Sequence, residues 1–224
     1  MKHFNDHFPC IVHIQTNGVS PIEDEIAEIV VIPFHDFVVS KTILPFNVKI
    51  SVAKQGTLTL DQYAACTKYG MDTHLAEQAF EHWYAKLGLR PNKQILPIAF
   101  DWPKQYGFLK EWFGYLEGFV YMEDFFSRAF RDVLPVSIYW ADLAAMNDEY
   151  IPFPKQTLTC VARRLGVPTP KSKTLLDRAY HIGVLYDKLT SLILPTGVDL
   201  PLCHPLPIDY QCTSEQSEYD FEEE

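Results

Sequence analysis

Apolar positions in the early part of the chain come in runs too short for helices. Cys10-Ile11-Val12 with Ile14 forms one such run, broken by Thr16-Asn17-Gly18, and Ile26 to Ile32 forms another after a polar turn at Ser20 to Glu25. Two β-branched runs joined in this way predict neighbouring antiparallel strands. FVVSKTILPF, within His35 to Ile50, predicts a third strand closing a meander, and Thr57 to Tyr63 a turn feeding a helix. The period then lengthens. Leu75, Ala79, Phe80, Trp83, Tyr84 and Leu87 recur at helical spacing, with Gly88 as the stop. Ile95 to Phe100 predicts a buried strand with an irregular start at Pro97, and from Asp101 the chain passes into a helix. Asp124 to Val133 predicts a further helix, and residues 135–142 a further buried strand ending at Asp142. Leu158, Val161, Ala162 and Leu165 mark a helix stopped by Gly166. Leu176, Ala179, Tyr180, Gly183, Val184 and Leu185 mark the apolar face of the last helix. Pro195, Pro201, Pro205 and Pro207 punctuate an extended arm over 195–213, and 214–224 is an acidic tail. The pattern predicts one α/β domain over 1–194, with a mixed central sheet of about five strands flanked by helices.

The order of short motifs adds to this pattern. Gln15-Thr16-Asn17-Gly18 precedes Asp24-Glu25-Ile26-Ala27-Glu28-Ile29; Phe100-Asp101 closes a strand; Leu165-Gly166-Val167-Pro168 precedes Asp177 in the last helix. This succession resembles the DEDD class of 3′–5′ exonucleases, proofreading type and histidine subclass, within the RNase H-like superfamily. The resemblance implies an RNase H-like exonuclease fold, with active-site positions at His13, Gln15, Asp101, Ser172 and Asp177. The family reads Asp-x-Glu-Thr-x-Gly in its first motif and His-x(4)-Asp in its third. His13 and Gln15 therefore stand where it has metal-binding carboxylates, and Ser172 where it has the general-base histidine. Taken alone, Asp101 would be a turn or cap residue and Asp177 a solvated helix residue; their weight comes from the order of the motifs. His181, on the helix of Asp177 beside apolar neighbours, reads as structural, and Glu23, Asp24 and Glu25 read as a solvated turn.

Phosphodiester hydrolysis in that class uses two divalent ions held by carboxylates. Mg²⁺ prefers anionic oxygen ligands, so the charge at the site drives occupancy. Gln15 offers only a neutral oxygen. His13 suits softer ions such as Mn²⁺ and cannot bridge two metals, and Ser172 cannot take a proton from water near neutral pH. The expectation is a catalytically degenerate exonuclease homologue without a cofactor, which binds a protein partner or the end of a single-stranded nucleic acid. Trp102 and Tyr106, next to Asp101, are the candidates for stacking on bases. Two other readings stay open. One is an active exonuclease with a remodelled His13, Asp101 and Asp177 site for Mn²⁺ or Mg²⁺; the other is an acidic nucleic-acid mimic that blocks a basic enzyme.

Composition narrows the partners. With 224 residues, 47% of them hydrophobic and 14% aromatic, the chain can fill a substantial interior. No apolar run approaches the roughly 20 residues that span a bilayer, and the N-terminus lacks a secretory pattern. Five cysteines without a CxxC pair read as reduced thiols in a cytoplasmic protein, and neither His3 and His7 nor Cys203-His204 has zinc-ligand spacing. The net charge is −10, but the last eleven residues hold six acids and no base, leaving 19 bases against 23 acids in the body. Tight nonspecific binding to nucleic acid usually needs a basic footprint; none is visible globally, and a local basic cleft stays open. The charge balance and the tail favour a protein partner over nucleic acid.

Overall fold

Burial on both faces explains why the first strand is apolar without alternation. In β1 (Phe8–Thr16), Cys10, Val12 and Ile14 enter one apolar cluster and Ile11 enters another. β1 pairs antiparallel with β2 (Ile26–His35), as the two apolar runs predict. β2 carries two further antiparallel partners, β3 (Val38–Val39) and β4 (Phe46–Lys49). The single third strand expected from FVVSKTILPF is therefore two short pieces on the same neighbour. On its other side β1 pairs parallel with β5 (Ile95–Ala99), and β5 pairs parallel with β6 (Arg131–Asp132). The result is a mixed sheet of order β3-β2-β1-β5-β6, with β4 branching from β2. The computed structural model describes residues 7–35, 38–39, 43–90, 93–114, 121–137, 157–169 and 174–193. Ser172, the proline-rich arm and the acidic tail lie outside the described residues.

α1 (Leu60–Tyr69) closes a small satellite cluster with Ala27, Val52 and Leu58, while one face of the sheet is covered by α2 (Thr73–Ala85), α3 (Trp102–Gly114) and α4 (Met122–Phe125). Phe80 of α2 sits at the centre of this face. Its ring centroid lies 5.3 Å from Phe46, 5.5 Å from Phe113 and 5.2 Å from Phe125, mostly edge to face. The opposite face is covered by α6 (Leu158–Arg164) and α7 (Leu175–Ile193), with a helical segment α5 at residues 133–137 between them and β6 in the chain. α7 approaches the sheet closely at Gly183, where a Cβ would come within 2.4 Å of Ile11 Cδ1.

Two expectations fail together after α4. The helix expected over 124–133 ends at Phe125, and the chain extends into β6 at Arg131–Asp132. The strand expected over 135–142 is helical through 137, with its remainder outside the described residues. The reason is packing: Phe125, Phe126 and Phe130 all serve the aromatic cluster, and Asp132 is needed at the sheet edge described below. Pro97 also defies its expectation. It lies within β5 opposite Cys10, fully buried, while β6 pairs only with Ile98 and Ala99 beyond it.

Phe80→Ala should destabilise the protein by about 3–5 kcal/mol, because so many rings share the cavity it would leave; denaturant titration would measure this. On the same helix Glu77 is 3% exposed, and neither carboxylate oxygen has a hydrogen-bond partner among the described residues. Burial first, then Glu81 and Asp72, raise its pKa to about 7. The unfolded chain ionises this group at lower pH than the folded one, so its favourable contribution is complete below the unfolded value and is lost as pH rises through about 7. Glu77→Gln should raise the melting temperature at pH 8 and flatten its decline between pH 5 and 8.

Candidate functional site

The described parallel pairing of β1 with β5 ends at Ile11 and Ile98, so the carboxyl ends of the two strands lie beyond their shared ladder. A crevice outside the carboxyl ends of parallel strands is where α/β folds place ligands. Two buried side chains tie these strand ends together. Gln105 of α3, 5% exposed, accepts the Ile14 N–H at 3.1 Å and donates to the Phe100 carbonyl at 2.8 Å. It thereby ties the segment His13-Ile14-Gln15 to the end of β5. Asp132 of β6 is 2% exposed and accepts three backbone N–H groups: Asp101 at 3.0 Å, Trp102 at 2.7 Å and Leu134 at 3.0 Å. Those bonds favour its charged form, but burial outweighs them and pushes its pKa up to about 6. Asp101 itself has φ +60°, a left-handed conformation that Asp tolerates better than most residues. Asp132 pins that conformation, and burial raises the Asp101 pKa against the pull of Lys104.

His13 and Gln15 follow Ile11 on the face of the sheet covered by α7. Burial, and then the Arg178 guanidinium, lower the His13 pKa to about 4, so the imidazole is neutral at pH 7. Its Nδ1 has no hydrogen-bond partner among the described residues. Gln15 and Arg178 line a cavity of about 300 Å³, whose walls also include Leu175 of α7, Lys49 of β4 and Asp61 of α1. Arg178 is a site residue that the sequence reading passed over. Its only signal is its place directly after Asp177.

Asp177 has a local task. Thr174 precedes α7, and its hydroxyl accepts the Asp177 N–H at 3.2 Å while donating to the Asp177 carboxylate. That is an N-terminal cap of the helix, with a carboxylate at the positive end of its dipole. Among the described residues, no group of three His, Cys, Asp or Glu side chains could hold a metal ion. His13, Asp101 and Asp177 are therefore not gathered into the three-ligand site that one reading of the sequence required. Two divalent ions held by four carboxylates do not fit the family's positions as they stand here: His13 gives a neutral imidazole, Gln15 a neutral amide with the Arg178 guanidinium nearby, and carboxylates remain only at Asp101 and Asp177.

The stacking candidates are corrected in part. Trp102 is 1% exposed and packs against Phe126 and Phe130, so it is core and offers no face to a base. Tyr106 is half-buried, with its hydroxyl donating to Glu123 at 3.3 Å. His181 is 6% exposed with its pKa lowered by burial, in keeping with a core role. The turn before β2 is built rather than simply solvated. Asn17, fully buried, donates to Glu25 and to the Lys54 carbonyl, and Asp24 pairs with Lys54 at 2.8 Å. Gly56, at φ +54°, lets the next loop lie against Asn17: a Cβ there would be 1.7 Å from the Asn17 carbonyl oxygen.

No protein-family model matches the sequence, and no curated protein matches it. Solved structures do match the fold. Cell-death related nuclease 4 (CRN-4) superposes with a TM-score of 0.61 at 11% identity, over 87% of this chain and 66% of that one. The nuclease domain of 3′hExo, a DEDDh family member solved with rAMP, gives 0.61 at 12% identity, over 89% of this chain and 97% of that domain. E. coli Exonuclease I, solved with a dT13 oligonucleotide, gives 0.56 at 13% identity over 86% of this chain and 43% of that one. The chain has the RNase H-like exonuclease fold that its motif order implies.

The electrostatics of His13 can be measured directly. Its ring resonances should stay constant from pH 8 to about 5 and titrate near 4, and Arg178→Met should raise that midpoint only in part, since burial is the larger cause. The sign for stability is opposite to that of Glu77. The contribution of His13 is complete above about 6.5 and is lost as pH falls towards 4.

Proposed function

We propose that this chain is a catalytically degenerate 3′–5′ exonuclease homologue that works by binding rather than by hydrolysis. The observation that carries the proposal is the Arg178 guanidinium beside His13 and Gln15. The exonuclease resemblance asks for anionic metal ligands at His13 and Gln15; this chain has two neutral side chains and a cation near them. Asp177, the family's position on the last helix, is bonded to Thr174 at the helix start. These features argue against the reading of an active enzyme with a remodelled metal site.

The ligand we propose is the end of a single nucleic-acid strand. The acidic balance of the chain speaks for a protein partner, but the crevice is the more specific feature, and its cation and donor groups suit a phosphate. Two proteins of the same fold were solved with such ligands, 3′hExo with rAMP and Exonuclease I with an oligonucleotide. A cytoplasmic location belongs to the same proposal and rests on cysteine usage; Cys10, Cys66 and Cys160 are free thiols. Among the described residues, no helix is long and apolar enough to cross a membrane.

The test uses a short 5′-labelled single strand, DNA or RNA, incubated with EDTA, Mg²⁺ or Mn²⁺. The expected outcome is a retarded complex in EDTA and an intact strand in every condition. Metal-dependent release of nucleotides, abolished by Asp101→Ala, would replace this proposal with the active enzyme. No complex in any condition would remove the strand end as ligand.

A further inference from the structure

We infer that Arg178 supplies from within the chain the positive charge that bound ions provide in an ion-dependent nuclease, so that the cavity beside Gln15 takes a nucleoside monophosphate without any divalent metal. The inference rests on the binding role proposed above and names the ligand of that site.

Arg178 is half-buried, and no carboxylate or carbonyl among the described residues pairs with it. The other cation in the wall, Lys49, is already committed to Glu28. A guanidinium withdrawn from water without a partner is costly, and its fork of donors matches a phosphate in two contacts. The wall also carries two carboxylates, Glu28, which holds Lys49, and Asp61, so Arg178 is the cation in it that no ion pair engages among the described residues. Gln15 has its amide N–H on the Thr16 carbonyl, and its oxygen carries no bond among the described residues.

The other lining groups suit a nucleoside. Leu58 gives an apolar surface, and Asp61 on α1, which forms no ion pair among the described residues, can accept from a sugar hydroxyl. The volume, about 300 Å³, is at the small end of organic-ligand pockets and suits one nucleotide rather than a length of strand.

Calorimetric titration of the full chain with AMP, adenosine and inorganic phosphate, each in EDTA and in Mg²⁺ or Mn²⁺, tests this. AMP is expected to bind in EDTA, with metal leaving the affinity unchanged and adenosine binding at least about tenfold more weakly. Arg178→Gln should weaken AMP binding by at least about tenfold while the melting curve stays in place, and Arg178→Lys should fall between the two. AMP binding that requires metal, or that Arg178→Gln leaves intact, overturns the inference. If AMP fails to bind while the labelled strand still does, the inference falls and the binding role stands. If neither binds, both fall.

Discussion

Parallel strands that stop pairing leave backbone groups for something else to satisfy, and in this protein two side chains do so at the ends of β1 and β5. Gln105 takes the Ile14 N–H and returns a bond to Phe100; Asp132 takes the N–H groups of Asp101 and Trp102. Both are almost fully buried, where an unmade hydrogen bond would cost about 1–3 kcal/mol. The left-handed Asp101 costs a similar amount, and the Asp132 bonds offset it. The crevice is thus held in shape by polar groups behind it. Nothing in that support depends on an ion in front.

Two of the side chains near Arg178 are neutral: His13 is held so by burial and Gln15 is an amide, while Asp177 bonds to the start of its own helix. Neither neutral group draws in a divalent ion as a carboxylate would. Arg178 adds a reason for it to stay out, because at contact distances in a partly buried site two like charges repel by several kcal/mol. The same guanidinium attracts anions. The charge that disfavours a metal ion beside Gln15 is thus the same charge that the proposed phosphate would meet.

The sequence revealed the parts of the fold with a strong period. The helix of Phe80 and Trp83 and the last helix show burial on a regular repeat, and β1 and β2 show as short β-branched runs between turns, so their types follow from pattern. The stretch from Phe125 to Asp132 has no such repeat. Three phenylalanines there meet rings from distant helices, and only the assembled cluster shows why they alternate with polar residues. Asp132 is a related case: an acid in that context resembles a solvated helix residue until the strand ends that need it are in place. At the candidate site, motif order singled out His13, Gln15, Asp101 and Asp177. It could not show that Asp177 bonds to Thr174, that Trp102 is buried, or that Arg178 reaches His13, since all three depend on how α3 and α7 lie on the sheet.

The core also explains why such a site can change while the fold persists. The aromatic cluster around Phe80 and the aliphatic layer between α7 and the sheet carry most of the buried apolar surface, and His13, Gln15 and Arg178 belong to neither. Packing of this kind tolerates many sequences if volume and pattern are kept, so a fold can be retained at very low identity while its chemistry drifts. A cluster of four carboxylates makes its own demand on a protein, because their mutual repulsion has to be relieved by bound ions. With neutral side chains at His13 and Gln15 and an arginine near them, this chain makes less of that demand, and the binding role proposed for it relies on that difference.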